Sequence, residues 1–527
     1  MRAIILVLAL MMLAASCAPA ATTLSDCAGV VRVFGDMSSW MSSCFVIGDG
    51  SYVLTTWDSV TEVISKDTKQ TMRFPLFISA YTGQAYQCEL KAFNKELNVA
   101  ILKLPVSGLP AAPLAQIADF AKAAYGTMGQ LSDNDVVGNK WPTSLYAITL
   151  DKSAKPPKLG VSQWSADKVF ITDIGNYKWM FLSSVDPSDA VPNGAMVARD
   201  ATVVGMYVNK LVVTGGKQDV IYGRCAMAPE MARFCGDSGI DTASLYEPPK
   251  PTAVKAKDAD AAFQLCCRIY SQIGARRPAL ALQPATALAA ARPQDAQAKM
   301  ALGIAQLGAG KADEALKSFD EATKLDPKLP MLRTNRALAL AALKKTSDAE
   351  SEMLKAVEES TADPRPVVAL AEFYLANEKT LDKALEYAKK AAILSPNSAA
   401  AELLVGKVEK SRKKYQEAVN AIGEAIKMSP DWWEAWYALG STYEAGGDKT
   451  NAEKAYRMLL DKQPKNPDSY MTLASFLGDE GKKDEALELI GKLKALNPPK
   501  EVLDAAQQLQ DKIEGKKPTE VKKPQAK

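Results

Sequence analysis

Residues 433–464 read WEAWYALGSTYEAGGDKTNAEKAYRMLLDKQP. Trp436, Leu439, Gly440 and Tyr443 fall on one helix, and Ala452, Tyr456 and Leu459 on the next. The small residues let the two helices approach closely, and the large ones fill the groove between them. Pro464 closes this unit, and prolines recur at 396, 430, 464 and 498, a spacing of 34 each time. Pro327 and Pro364 fit the same period with a small insertion. Leu302, Gly303, Ala315, Phe319, Ala322 and Pro327 repeat the pattern upstream, as do Val405, Gly406, Ala418, Ala425 and Pro430. Tyr470, Leu473, Ala474, Ala486 and Pro498 form the last clear unit. Looser units surround Ala337, Ala349 and Ala356, and Ala384, Ala391 and Pro396.

A 34-residue helix-turn-helix period resembles the tetratricopeptide repeat (TPR). Six units then occupy residues 296–498, with a degenerate seventh at 257–295 and a capping helix at 499–514 that hides the last apolar face. The resemblance implies a concave groove lined by the first helix of each unit. In this register the groove carries Met300, Ile304 and Leu307, then Leu338 and Ala341, then Leu403, Lys407, Lys410, Tyr437, Ser441 and Glu444. Its early part is apolar and its later part mixed. The Lys and Asn set of a carboxylate clamp for chaperone tails is not seen. The implied partner is a protein or peptide.

The chain has 527 residues, too many for one core, and no histidine at all. A Ser-His-Asp or Cys-His mechanism therefore cannot operate, nor can a His-containing zinc site form, and no metal or cofactor is expected. The 64 basic and 61 acidic residues leave a net charge of +3, which gives no reason to expect a nucleic-acid partner. Met1-Arg2 precedes an apolar run from Ala3 to Ala15, short for a membrane span and suited to a signal-peptide core, so residues 1–20 read as an export signal. Ala18-Pro19-Ala20 supplies small residues for ordinary cleavage. Ala14-Ala15-Ser16-Cys17 resembles a lipobox that would anchor lipid at Cys17, with Leu13 one place early. Either way the chain is expected in a bacterial periplasm or envelope. Seven cysteines follow Cys17, so at least one lies outside any intramolecular disulfide.

Residues 26–240 carry short runs rich in β-branched and aromatic residues, such as Val30–Phe34 and Val203–Val208, punctuated by Gly, Asp and Asn. Glu247-Pro248-Pro249-Lys250-Pro251-Thr252 begins a proline-rich linker over 247–256, expected to be semi-rigid and open to proteases. Residues 515–527 form a basic tail expected to be disordered.

Cys44-Phe45-Val46-Ile47, a turn, and Tyr52-Val53-Leu54-Thr55 resemble the strand pair that leads to the catalytic His of trypsin-like peptidases of the HtrA type. The resemblance implies an N-terminal all-β trypsin-like double barrel followed by the all-α TPR solenoid. It places Asp58 at the His position, Asn98, before Val99-Ala100-Ile101-Leu102-Lys103, at the Asp position, and Pro192, thirteen residues before Gly205, at the nucleophile. Asp58 cannot act as an imidazole, Asn98 is neutral, and Pro192 lacks both the hydroxyl and the oxyanion-hole N–H. Gly236-Asp237-Ser238-Gly239 imitates the family's nucleophile motif but comes too late, almost at the linker. The reading is an exported non-catalytic adaptor. The alternative is an atypical serine endopeptidase whose repeats present substrate.

Overall fold

A computed structural model describes residues 23–34, 39–60, 75–120, 124–125, 140–151, 158–183, 193–199, 201–213, 220–274, 277–360, 363–396 and 398–516. The signal segment, Cys17, Pro192 and the tail beyond Lys516 lie outside these residues. The chain divides into two compact units, the first reaching Ala339 and the second beginning at Leu340.

The first unit opens with two antiparallel-rich sheets. Sheet one contains β1 (Ala28–Phe34), β2 (Ser39–Ile47), β3 (Tyr52–Thr55), β4 (Leu76–Ser79), β5 (Ala85–Gln87), β6 (Glu89–Asn94) and β7 (Val99–Lys103), in the order β5-β4-β1-β2-β3-β7-β6. Its two end strands are separated in sequence by Cys88 alone, whose N–H donates to Pro75 O at 2.8 Å. The sheet is therefore curled until its ends are consecutive in the chain. Along β2, Cys44 and Val46 enter one core with Val53, Cys88 and Leu102, whereas Phe45 and Ile47 enter another. This alternation buries both faces.

Sheet two contains β8 (Ala124–Tyr125), β9 (Lys140–Asp151), β10 (Lys158–Ile174), β11 (Tyr177–Ser183), β12 (Met196–Arg199), β13 (Thr202–Val213) and β14 (Val220–Met227). The order β11-β14-β13-β12-β9-β10 closes on itself through the β10–β11 pair, and β8 adds to β10 in parallel. Phe45, Leu54 and Ile101 of sheet one share a core with Met180, Val197, Met206 and Met227 of sheet two. Helix α1 (Ala228–Asp237) covers this core with Met231, Ala232 and Cys235, and α2 (Thr242–Tyr246) with Leu245.

The helices that follow are α3 (Ala259–Gly274), α4 (Leu282–Ala291), α5 (Ala296–Gly308), α6 (Ala312–Leu325), α7 (Leu332–Ala342), α8 (Thr346–Glu359), α9 (Pro364–Leu375), α10 (Leu381–Leu394), α11 (Ala399–Ser411), α12 (Tyr415–Met428), α13 (Trp433–Ala445), α14 (Lys449–Lys462), α15 (Pro467–Asp479), α16 (Lys483–Ala495) and α17 (Lys500–Glu514). Three glycines show why the pairs pack closely. A Cβ on Gly303 would meet the Phe319 ring, one on Gly406 would meet Ile422, and one on Gly440 would meet Tyr456. Each glycine sits on the first helix of a pair and each large residue on the second.

The connector over 247–256 differs from its expectation. Thr252 and Ala253 donate their N–H groups to Gly108 O at 3.0 and 2.9 Å, and Lys255 is paired with Asp26. Beyond it, α3 lies on sheet one: Phe263, Cys266, Ile269 and Tyr270 share a core with Val30, Leu76 and Ile78. Arg292 clamps the junction, donating to Asp258 through Nε at 2.9 Å and Nη2 at 3.0 Å, and to Thr82 O at 2.7 Å. Proline density excluded helix here, but the missing partners are supplied by Gly108, in the loop after β7 and over a hundred residues away.

All seven described cysteines are buried free thiols. Burial pushes Cys27, Cys88, Cys235 and Cys267 up from 9.0 to about 12. Native thiols should therefore resist alkylation at neutral pH and react once the chain is unfolded in denaturant, a difference read by mass spectrometry. Between about pH 9 and 12 the unfolded chain ionises and the folded one does not, so stability falls as pH rises through that window.

Candidate functional site

In the second unit, α11 to α15 enclose a cavity of about 440 Å³. Lys407 and Lys410 come from α11, Trp433, Glu434, Tyr437 and Ser441 from α13, and Asp468, Ser469 and Thr472 from α15. The repeat brings these together because the same turns of each first helix face the same side. Lys410 Nζ donates to Ser441 Oγ at 2.9 Å. Burial lowers the Lys410 ammonium below its ordinary value, and the nearby Glu444 charge opposes that shift. Tyr456 donates from its hydroxyl to Glu444 at 2.7 Å, and its ring lies 6.4 Å from that of Tyr437. Tyr437 is 46% exposed, an unusual state for a large ring. Ser469 Oγ is buried in the wall without a hydrogen-bond partner. The arrangement offers two ammonium groups, two carboxylates and an open aromatic face, a mixed surface suited to a peptide.

Of the groove residues expected from sequence, Lys407, Lys410, Tyr437 and Ser441 line this cavity, and Glu444 stands exposed beside it. Leu403 needs correction: it is 2% exposed, packed with Ile422, Ala425, Trp432 and Ala435 in the core between repeats, where no partner reaches it. In the first unit, Ile304 and Leu307 are partly buried against Phe319 and Leu332. Met300 is largely buried among the same residues and shows one edge to a separate cleft. Leu338 and Ala341 are half-buried. Glu434 and Asp468 were not expected in the groove, although they lie one 34-residue period apart. That spacing was the available signal.

In the β region, Asp58 and Asn98 form a reciprocal pair. Asp58 N donates to Asn98 Oδ1 at 2.9 Å, and Asn98 Nδ2 donates to Asp58 Oδ2 at 2.7 Å. Trp57 N donates to Asn98 O at 3.2 Å. Asn98 is held at φ 53°, a left-handed conformation that Asn tolerates better than most residues. The turn at Asn193-Gly194 packs nearby, since a Cβ on Gly194 would strike Ser43 O and meet Thr55 Oγ1 at 3.4 Å. Ser238 ends α1, its hydroxyl donating to Phe234 O at 2.8 Å, so the Gly236–Gly239 motif is a helix terminus.

Residues 268–330, 301–364 and 406–467 match the model of the tetratricopeptide repeat. Human protein O-mannosyl-transferase TMTC1 is 28% identical over 167 residues, 31% of this chain and 19% of that protein. The chain thus spans about a fifth of the length of that curated relative. Among solved structures, a thermophilic TPR protein in Thermus thermophilus is 24% identical, covering 35% of this chain and 99% of that one with a TM-score of 0.31. A tetratricopeptide repeat protein from Parabacteroides merdae is 19% identical, covering 47% and 97% with a TM-score of 0.36. The helical region is a tetratricopeptide-repeat solenoid, a module for protein–protein interaction. The region before it is β-rich with curled sheets.

Proposed function

We propose that this chain is an exported, non-catalytic adaptor that binds a partner protein through its repeat groove, with a degenerate trypsin-like domain at its N-terminus. The cavity that gathers Lys407, Lys410, Tyr437 and Ser441 carries the binding reading. The partner is a peptide segment of another protein, laid against the open Tyr437 ring. Export, by cleavage after the apolar run or by lipid attachment at Cys17, rests on residues 1–20.

For the β region, the closed strand ring of sheet two and the curled sheet one support a double-barrel reading. The Asp58–Asn98 pair supports it further, because the residues at the family's His and Asp places are hydrogen-bonded to each other. Asp58 offers a carboxylate where an imidazole is needed, and Asn98 holds it through an amide. Two experiments separate the adaptor from the endopeptidase alternative. A fluorophosphonate probe should not label the intact chain; labelling abolished by Ser184→Ala, Ser188→Ala or Ser238→Ala would establish the enzyme instead. Partner recovery from the envelope should fall by about tenfold or more in the Lys407→Glu/Lys410→Glu double variant. Unchanged recovery would remove the groove from the account.

A further inference from the structure

A second cleft lies in the first unit, where the rim of sheet one meets the earliest repeats. It has a volume of about 600 Å³. One wall is β4, β5, the start of β6 and the chain after β7: Leu76, Ala85, Tyr86, Glu89 and Val106. The other is the start of α5 and the turn after α6: Asp295, Gln297, Met300, Asp326 and Leu329. Both walls belong to one compact unit, fixed by the shared core under α3 and by the Arg292 clamp. The cleft is therefore a built feature of this junction, which neither module would form alone.

Its chemistry differs from that of the repeat cavity. Leu76, Val106, Met300 and Leu329 supply an apolar floor, while Glu89, Asp295 and Asp326 set three carboxylates around it against the single ammonium of Lys328. Burial raises the Tyr86 phenol above its ordinary value, and the Asp295 charge contributes to the rise. The nearby Arg292 cation is already engaged by Asp258. Gln84, Gln87, Gln294 and Gln297 also line the space, with Gln84 Oε1 accepting from the Tyr86 hydroxyl at 2.8 Å and Gln297 Nε2 donating to the Tyr270 hydroxyl. Strand β5 ends its sheet, so a linear segment entering here runs along a strand rim.

We infer that this cleft is a second docking site, distinct from the repeat cavity, for a linear basic peptide segment that seats one long apolar side chain between flanking lysines or arginines. The apolar floor takes the central side chain, and the three carboxylates meet the cations on either side.

The test is fluorescence anisotropy with the full chain and a labelled peptide, Lys-Lys-Leu-Lys-Lys, acetylated and amidated at its ends. Saturable one-to-one binding that weakens as salt rises is the expected result. Glu89→Lys/Asp326→Lys should weaken it by about tenfold or more, and the isosteric Glu89→Gln/Asp326→Asn pair should weaken it less while leaving the circular dichroism spectrum unchanged. Lys407→Glu/Lys410→Glu should leave it unchanged, which separates this site from the repeat cavity. Absence of binding, equal binding of Glu-Glu-Leu-Glu-Glu, indifference to the charge variants, or loss in the Lys407→Glu/Lys410→Glu chain would each overturn the proposal.

Discussion

Replacing Phe319 by Ala should cost the helical array about 3–5 kcal/mol. Phe319 is fully buried, packed with Met300, Ala315, Ala322 and Leu332. Its ring fills the space left by the absent side chain of Gly303, whose Cβ would come to 2.5 Å from Phe319 Cε1. The lost ring leaves a cavity between two helices whose backbones are already in contact, so collapse cannot refill it. The reciprocal change, Gly303→Ala, should also destabilise, because the ring must shift in a packed core. Gly423→Ala is the control: nothing lies within 4 Å of its Cβ position. It should stabilise its helix by about 0.5–1 kcal/mol. Urea unfolding of the full chain, followed by circular dichroism, reads all three. A loss under about 1 kcal/mol for Phe319→Ala would mean that the helix pairing is wrong.

Phe263→Ala should loosen the junction between the β region and the first helices, again at about 3–5 kcal/mol. Phe263 and Ile269 sit in the core that α3 shares with Val30 and Ile78. The connector before α3 is held to the β region by Thr252, Ala253 and the Lys255–Asp26 pair, and its far end is anchored by the docked α3. Trypsin should therefore cut slowly after Lys255 and Lys257 in the intact chain. Cleavage should speed up by at least about tenfold in the variant, since about 1.4 kcal/mol of local opening is a tenfold change in the open population. Rapid cutting of the unaltered chain at these lysines would show that the connector is a free tether.

The repeats were legible because one physical rule recurs at a fixed interval. Gly303, Gly406 and Gly440 face Phe319, Ile422 and Tyr456, and each pairing leaves the same small-then-large trace in the sequence. Orientation within a helix was less legible. Trp436 packs, partly buried, against the core of Ala452, Tyr456 and Leu459 with its indole N–H on Pro430 O at 2.8 Å, but the fully buried indole is that of Trp432, which no repeat position singled out. Leu403 reads as a groove residue, yet it belongs to the core between repeats. A helix buried on more than one face gives apolar residues no single direction. The junction was hidden for another reason. Gly108 accepts from Thr252 and Ala253, and Thr82 O from Arg292, across sequence distances that no local pattern records. The Asp58–Asn98 pair was placed by the strand motif, but its mutual hydrogen bonding is a fact of the fold.

Whether the repeat cavity around Tyr437 holds a partner protein is tested most directly by placing a photoreactive p-benzoylphenylalanine at Tyr437 and illuminating living cells. A control at Ile393, 74% exposed on α10, reports nonspecific contact. One discrete adduct is predicted from Tyr437, lost when Lys407→Glu and Lys410→Glu are added, and none from Ile393. No adduct at Tyr437, or equal adducts from both positions that ignore the charge reversal, would contradict partner binding in this cavity.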